Sequence, residues 1–295
     1  MIRYTLLACT FLAVLPAHHA AAQTYTFRNV QYKAGLGSEM TDINTKGMMT
    51  GGYFASINGV HNCFTYDSKT HAKAKLRAPL GARGTECWGI NDAGTIVGDY
   101  VNSARVHHAY VYSSGTFTTI DPPGSPSAIA YAVSNNGVVG GYYVDAKGVG
   151  HGFLYNGTTY TTVDVPGAIN TEVRGVNASG AYTVQAVVDG FPTLSFLYSG
   201  STMTPIIFPG NKTATFAHHL TDTGLVAASW ADKAGEYGGV YDSVANAYYS
   251  ISVPNSTVTV VNAINSKMEI AGRSSLSSPR ASIGFLGQGK LTPHE

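Results

Sequence analysis

The chain has 295 residues, a formal net charge of +1, 44% hydrophobic residues and only 12% charged ones. That much apolar material excludes a disordered chain, and so small a net charge leaves no basic field to hold nucleic acid or an anionic membrane surface. With so few charges, the surface must rely on Ser, Thr, Asn and Tyr.

Residues 1–22 read as a signal peptide. Arg3 gives a short positive start, residues 6–15 are apolar, and Ala20-Ala21-Ala22 before Gln23 fits a small-residue cleavage site. Leu6-Leu7-Ala8-Cys9 resembles a lipobox, but Cys9 lies inside the apolar run rather than after it. No later stretch approaches the roughly 20 apolar residues of a membrane span. The expectation is a secreted or periplasmic protein whose mature part, 23–295, is a single repeat domain. That part keeps Cys63 and Cys87. An oxidising compartment permits a disulfide between them; two separate buried thiols are the alternative. The chain stops at His294-Glu295 soon after the last apolar run, so no sorting or anchoring tail is expected.

From about residue 40 onward the chain repeats itself. Gly89-Ile90-Asn91-Asp92-Ala93-Gly94-Thr95-Ile96-Val97-Gly98-Asp99-Tyr100 aligns without gaps with Ala132-Val133-Ser134-Asn135-Asn136-Gly137-Val138-Val139-Gly140-Gly141-Tyr142-Tyr143. Shorter copies centre on Gly47, Gly180 and Gly224, and a sixth has Met268 in place of Gly. The central positions are separated by 47, 43, 43, 44 and 44 residues, the spacing of a repeat architecture. A second half-motif follows the first: His108-Ala109-Tyr110-Val111-Tyr112 leads to Thr116-Phe117-Thr118-Thr119-Ile120-Asp121, and His151-Gly152-Phe153-Leu154-Tyr155 leads to Thr159-Tyr160-Thr161-Thr162-Val163-Asp164.

Each unit thus holds up to four short runs rich in Val, Ile, Thr, Tyr and Phe, separated by turn residues such as Asn-x-x-Gly, Asn156-Gly157 and Ser114-Gly115. These are strand and hairpin signals. No run shows apolar period 3.6 over helical length. Four strands in about 43 residues is the size of a propeller blade, so the expected fold is an all-β propeller of six four-stranded blades; a β-solenoid is the alternative. Thr24-Tyr25-Thr26-Phe27-Arg28-Asn29-Val30 resembles a fourth run, and the last repeat ends after its third. An N-terminal strand completing the last blade would hide both open edges.

The combination G-I-N-x-x-G-x-I-V-G-x-Y, then H-[GA]-[FY]-[LV]-Y, then T-x-[YF]-T-T-[IV]-D-x-P-G resembles the bacterial HAF repeat. The defining triplet is matched by His108-Ala109-Tyr110 and His151-Gly152-Phe153. The resemblance covers nearly all of the mature chain, is strong in the second and third repeats and fades in the fourth to sixth, which lack the His. It implies an extracellular repeat protein and brings no catalytic residues with it.

Residues repeated at blade period are expected to be scaffold. His108 and His151 with Asp121 and Asp164 would lock strands within a blade, and Asn44, Asn91, Asn177 and Asn265 suit the turn after the first strand. A ligand site is sought instead where repeats differ at one shared position. Three places before the motif lie Glu39, Glu86, Ile129, Glu172, Phe216 and Val260; one place before it lie Thr41, Trp88, Tyr131, Arg174, His218 and Asn262. In a propeller both sets fall at the start of the innermost strands, near the channel mouth. The candidate ligand residues are Glu39, Glu86, Trp88, Tyr131, Glu172, Arg174 and His218, with the aromatic rings as stacking platforms. Glu86 and Glu172 are the candidate acid–base pair if catalysis occurs.

The chain contains no GxSxG, HExxH, Walker or EF-hand motif, so no metal or cofactor is expected. The expected function is a non-catalytic binding module for a polar or glycan-type ligand or another surface protein. A glycan-active hydrolase or lyase and a purely structural envelope protein are the alternatives. No nucleic acid is expected as a partner, and the chain is expected to be monomeric.

Overall fold

A computed structural model describes residues 24–33, 36–54, 61–77, 79, 81–209, 214–231, 235–275 and 282–291. The expected signal peptide lies outside the described residues. All regular structure among the described residues is β. The first blade comprises β2 (Ser38–Ile43), β3 (Met48–Phe54), β4 (His61–Asp67) and β5 (Lys73–Lys75); the second comprises β6 (Gly84–Ile90), β7 (Ile96–Val101), β8 (His107–Ser113) and β9 (Thr116–Thr119). The third is β10 (Ser127–Val133), β11 (Val139–Val144), β12 (Gly150–Tyr155) and β13 (Tyr160–Val163). The fourth is β14 (Asn170–Val176), β15 (Tyr182–Val187), β16 (Leu194–Ser199) and β17 (Thr202–Pro205). The fifth is β18 (Thr215–Leu220), β19 (Leu225–Ala231), β20 (Glu236–Asp242) and β21 (Ala247–Ile251).

The sixth blade draws on both ends of the chain. β22 (Val258–Ile264), β23 (Ile270–Ser275) and β24 (Ile283–Lys290) are followed by β1 (Thr24–Val30), which runs antiparallel to β24 from Thr24↔Lys290 to Val30↔Gly284. This strand covers the edge that β24 would otherwise expose. β2 packs against β22, β23 and β24, so the first blade meets the sixth and the ring closes. A solenoid, whose first and last units are far apart, is excluded by that contact.

The core is divided among the blade interfaces. Ile43, Met49 and Phe64 of the first blade pack with Ala263, Ala271 and Leu286 of the sixth. Val97 and Ala109 of the second pack with Ala130, Val139 and Phe153 of the third. Each of these blades therefore buries apolar residues against its neighbour. The chain is further tied between the first two blades: Cys63 on β4 is bonded to Cys87 on β6, with S–S 1.98 Å and Cα–Cα 5.4 Å.

Candidate functional site

The innermost strands β2, β6, β10, β14, β18 and β22 run from one end of the central channel to the other, and every one of them is bulged at the same place. Thr41, Trp88, Tyr131, Arg174 and Asn262 each stand as the extra residue between two paired neighbours, and His218 shares that position with His219. A bulge leaves one residue unpaired and turns its side chain. The two backbones close up around it: a Cβ on Gly98 would lie 2.0 Å from the Glu86 carbonyl oxygen, and one on Gly272 would lie 1.9 Å from that of Val260. Glycine there is a consequence of close approach. The bulge positions are the second of the two variable sets read from the sequence.

The bulged residues bound a small cavity of about 30 Å³ on the channel axis, lined by Thr41, Asp42, Trp88, Tyr131, Arg174, His218, His219 and Asn262. It adjoins a vestibule of about 310 Å³ displaced toward the fifth and sixth blades, lined by Glu39, Trp88, Arg174, Phe216, His218, Ser229, Trp230, Glu236, Val260, Asn262 and Arg273. Arg174 is shared by both. Its guanidinium lies 3.8 Å from the centre of the Tyr131 ring and 5.8 Å from that of Trp88, a cation–π stack, and Nη1 reaches Glu172 Oε2 at 3.3 Å.

Of the sequence candidates, Glu39, Trp88, Arg174 and His218 line the vestibule and Tyr131 the cavity below it. Glu86 lines neither of these cavities, and its carboxylate is engaged by His61 Nδ1. Glu172 is held by Arg174, so the two acids suggested as a catalytic pair are each paired elsewhere. Loss of solvent raises the pKa of Glu39, against the pull of Arg273, and the nearby Glu86 raises it further. His218 is driven far down, first by burial and then by the guanidiniums of Arg174 and Arg273, so it is a neutral imidazole; Nε2 is 2.9 Å from the Ser229 hydroxyl.

Two further tiers were not found from the sequence. Opposite Glu39, Glu86, Ile129, Glu172, Phe216 and Val260 stand Gly52, Asp99, Tyr142, Gln185, Ser229 and Arg273 on the second strands. Among the residues at the start of the third strands are His61, His107 and Glu236. Asp99 is buried, accepts from Trp88 Nε1 at 2.9 Å and holds His107 Nδ1 at 2.7 Å. Arg273 donates from Nη2 to Glu236 Oε2 at 2.6 Å, and its Nη1 is buried with no hydrogen-bond partner among the described residues. The signal was available: these second-strand positions recur with the repeat spacing and differ from blade to blade.

The repeated His–Asp pairs lie away from the vestibule and act within their own blades. His108 Nδ1 meets Asp121 Oδ2 at 2.6 Å while Tyr100 stacks on its ring, and His151 Nδ1 meets Asp164 Oδ1 at 2.9 Å beneath Tyr143. Asp164 is half exposed, so the second pair is worth less than a buried one.

At the other end of the channel the side chains repeat instead. The amides of Asn44, Asn91, Asn177 and Asn265 donate to the carbonyls of Asn91, Ser134, Thr221 and Asn44, each in the next blade. The Oδ1 atoms accept from their own turns, Asn91 from the amides of Ala93 and Thr95. These asparagines are turn formers, as expected, and interblade links as well.

The fold and ring closure define a six-bladed β-propeller. No protein-family model matches the chain, and no curated protein matches it. Among solved structures it is similar to the SapL1 lectin in complex with α-methyl fucoside (TM-score 0.53, 15% identity, covering 88% of this chain and 97% of that one). It is also similar to the β-propeller domain of the trilobed protease from Pyrococcus furiosus (TM-score 0.52, 7% identity, 88% and 99%) and to Trypanosoma rangeli sialidase (TM-score 0.52, 11% identity, 85% and 54%). At these identities the likeness is one of fold.

Proposed function

We propose that this protein is a secreted or periplasmic propeller of the HAF-repeat kind that binds a polar, glycan-type ligand in the vestibule without transforming it. The observation that carries the reading is the set of six bulges, which brings Trp88, Tyr131, Arg174, His218 and Asn262 to one cavity from five different blades. A bulge repeated in every blade with a different side chain each time builds a shaped recognition surface on a constant frame. One propeller of this fold, SapL1, is a lectin that carries a fucoside; the likeness supplies the fold, and the reading rests on the residues. The sialidase likeness is equally one of fold, and both acids first suggested for catalysis are engaged by His61 and Arg174.

The test is a glycan array followed by titration of the mature chain. A binding glycan should lose about 2 kcal/mol or more, roughly 30-fold in Kd, on Arg174→Ala or Trp88→Ala. Trp88→Ala should also lower the melting temperature, because it removes a donor from buried Asp99. Arg174→Ala should lower it as well, because it unpairs the largely buried Glu172 and empties the stack on Tyr131. Reproducible turnover of a bound glycan, abolished by Glu39→Gln, would replace this reading by a hydrolytic one.

A further inference from the structure

We propose that the vestibule reads a pair of adjacent hydroxyl groups on a neutral sugar ring, with the Arg273–Glu236 pair as the reading edge and Trp88 and Trp230 as flat walls. This rests on the binding function proposed above and names its ligand class.

The charges in the vestibule come in joined pairs. Arg273 is tied to Glu236 at 2.6 Å and stands 3.9 Å from Glu39; Arg174 is tied to Glu172. An anionic ligand would have to displace Glu236 from Arg273 and sit beside Glu39. A cationic ligand would meet both guanidiniums at close range. Neither sign of charge finds an unopposed partner. A neutral polyol fits such a surface, because each hydroxyl accepts from a guanidinium N–H and donates to the neighbouring carboxylate.

The second observation is how Arg273 meets the vestibule. Its Nη1 is enclosed by the protein with no acceptor among the described residues, but the side chain is still 20% exposed and lines the vestibule beside Glu236, which Nη2 holds. One hydroxyl accepting from that guanidinium and its neighbour donating to Glu236 would use both groups at once. His218, kept neutral on the floor, adds no charge. Trp230 stacks on Phe208 at 4.3 Å and on Tyr237 at 5.8 Å, which fixes it as a rigid apolar wall of the vestibule. The cavity of about 310 Å³ has room for one or two sugar units.

The experiment titrates the mature chain with three sets of methyl glycosides: neutral hexosides and deoxyhexosides, hexuronosides, and hexosaminides. It is run at low and high salt and repeated with Arg273→Lys, Arg273→Met and Arg174→Ala. The expected result is binding of a neutral glycoside, changed less than threefold by salt. Affinity should fall more than tenfold in Arg273→Lys, which keeps the charge beside Glu236 but loses the fork, with melting unchanged. Removal of either of two adjacent hydroxyls from the glycoside should cause a similar loss. Preference for a uronoside or an aminoglycoside with steep salt dependence, but still lost in Arg174→Ala, would overturn the diol proposal and leave the binding function standing. Neutral binding indifferent to both Arg273 variants would overturn it as well. Absence of any ligand sensitive to Arg174→Ala would overturn both.

Discussion

The two ends of the central channel are built from the same six strands on opposite principles. At the turn end one residue type recurs, and the asparagines of four blades each bond the next blade. At the mouth every blade presents something different on the same bulge: Thr41, Trp88, Tyr131, Arg174, His218 and Asn262. The contrast separates the demands on a ring of repeats. The same bond serves four of the six interfaces, so one residue type recurs there. Recognising an asymmetric ligand requires the symmetry to be broken, and substitution at bulged positions breaks it on a constant backbone frame, even though Thr41 and Asn262 also bond the backbone of the next blade there.

The largest effect bearing on this contrast is expected at the disulfide, which ties the first two blades next to Trp88. Cys63 and Cys87 are separated by 24 residues, and losing a cross-link over a loop of that size costs about 3 kcal/mol. Reduction, or the double substitution Cys63→Ala with Cys87→Ala, should lower the melting temperature by many degrees. An unchanged melting curve would show that interblade packing alone holds this corner.

Next comes the turn end. Asn91→Ala removes one interblade bond and two turn bonds at a buried position, for an expected loss of about 1–3 kcal/mol in chemical denaturation, with ligand affinity unmoved. The converse substitution sharpens the comparison. Thr221 holds its own turn through the Leu225 amide but has no side-chain amide to reach the next blade. Thr221→Asn should restore that link and stabilise by about 1 kcal/mol. If Asn91→Ala weakens ligand binding while stability stays constant, the division between the two ends fails.

The smallest effect concerns pH at the mouth. Glu86 raises the pKa of His61 and Asp99 raises that of His107, chiefly through their hydrogen bonds. A histidine raised in the folded state contributes stability that is fully present below its unfolded value near 6.5 and is lost as pH rises through the folded value. Melting temperature should therefore drift downward between about pH 7 and pH 8, above the range around 6.5 where His218, kept neutral in the fold, pulls the other way. Both rings are more than a third exposed, so the drift should be slight. Each of His61→Gln and His107→Gln should flatten part of it. A drift of the opposite sign would contradict the pairing.

Much of this was legible in the chain. The spacing of Gly47, Gly94, Gly137, Gly180 and Gly224 exposed the blades, since each glycine closes its turn at positive φ, as Gly94 does at +85°. Met268 takes the same left-handed conformation at +62° without being glycine, which is why the sixth copy was the faintest. The likeness of residues 24–30 to a fourth strand pointed to the closure that β1 makes with β24. The variable positions in the first strand led to Trp88, Tyr131, Arg174 and His218. The same comparison along the second strand would have led to Asp99, Ser229 and Arg273. The partners of Asp99 and Arg273, His107 and Glu236, lie at the start of the third strand, where loops of unequal length blur the frame.

Sequence alone determined the repeat, the number of blades and the strand that completes the last one, because these follow from local turn chemistry and a fixed period. Tertiary structure decided which charges meet. Arg273 finds Glu236 of the preceding blade and Glu86 finds His61 of the preceding blade, across 37 and 25 residues of chain, because ring closure sets those neighbours and no local pattern records them. It also decided that a bulge, and not a plain strand, presents Trp88 and Arg174. The bulge is a matter of pairing register between two strands, a relation that neither strand carries by itself.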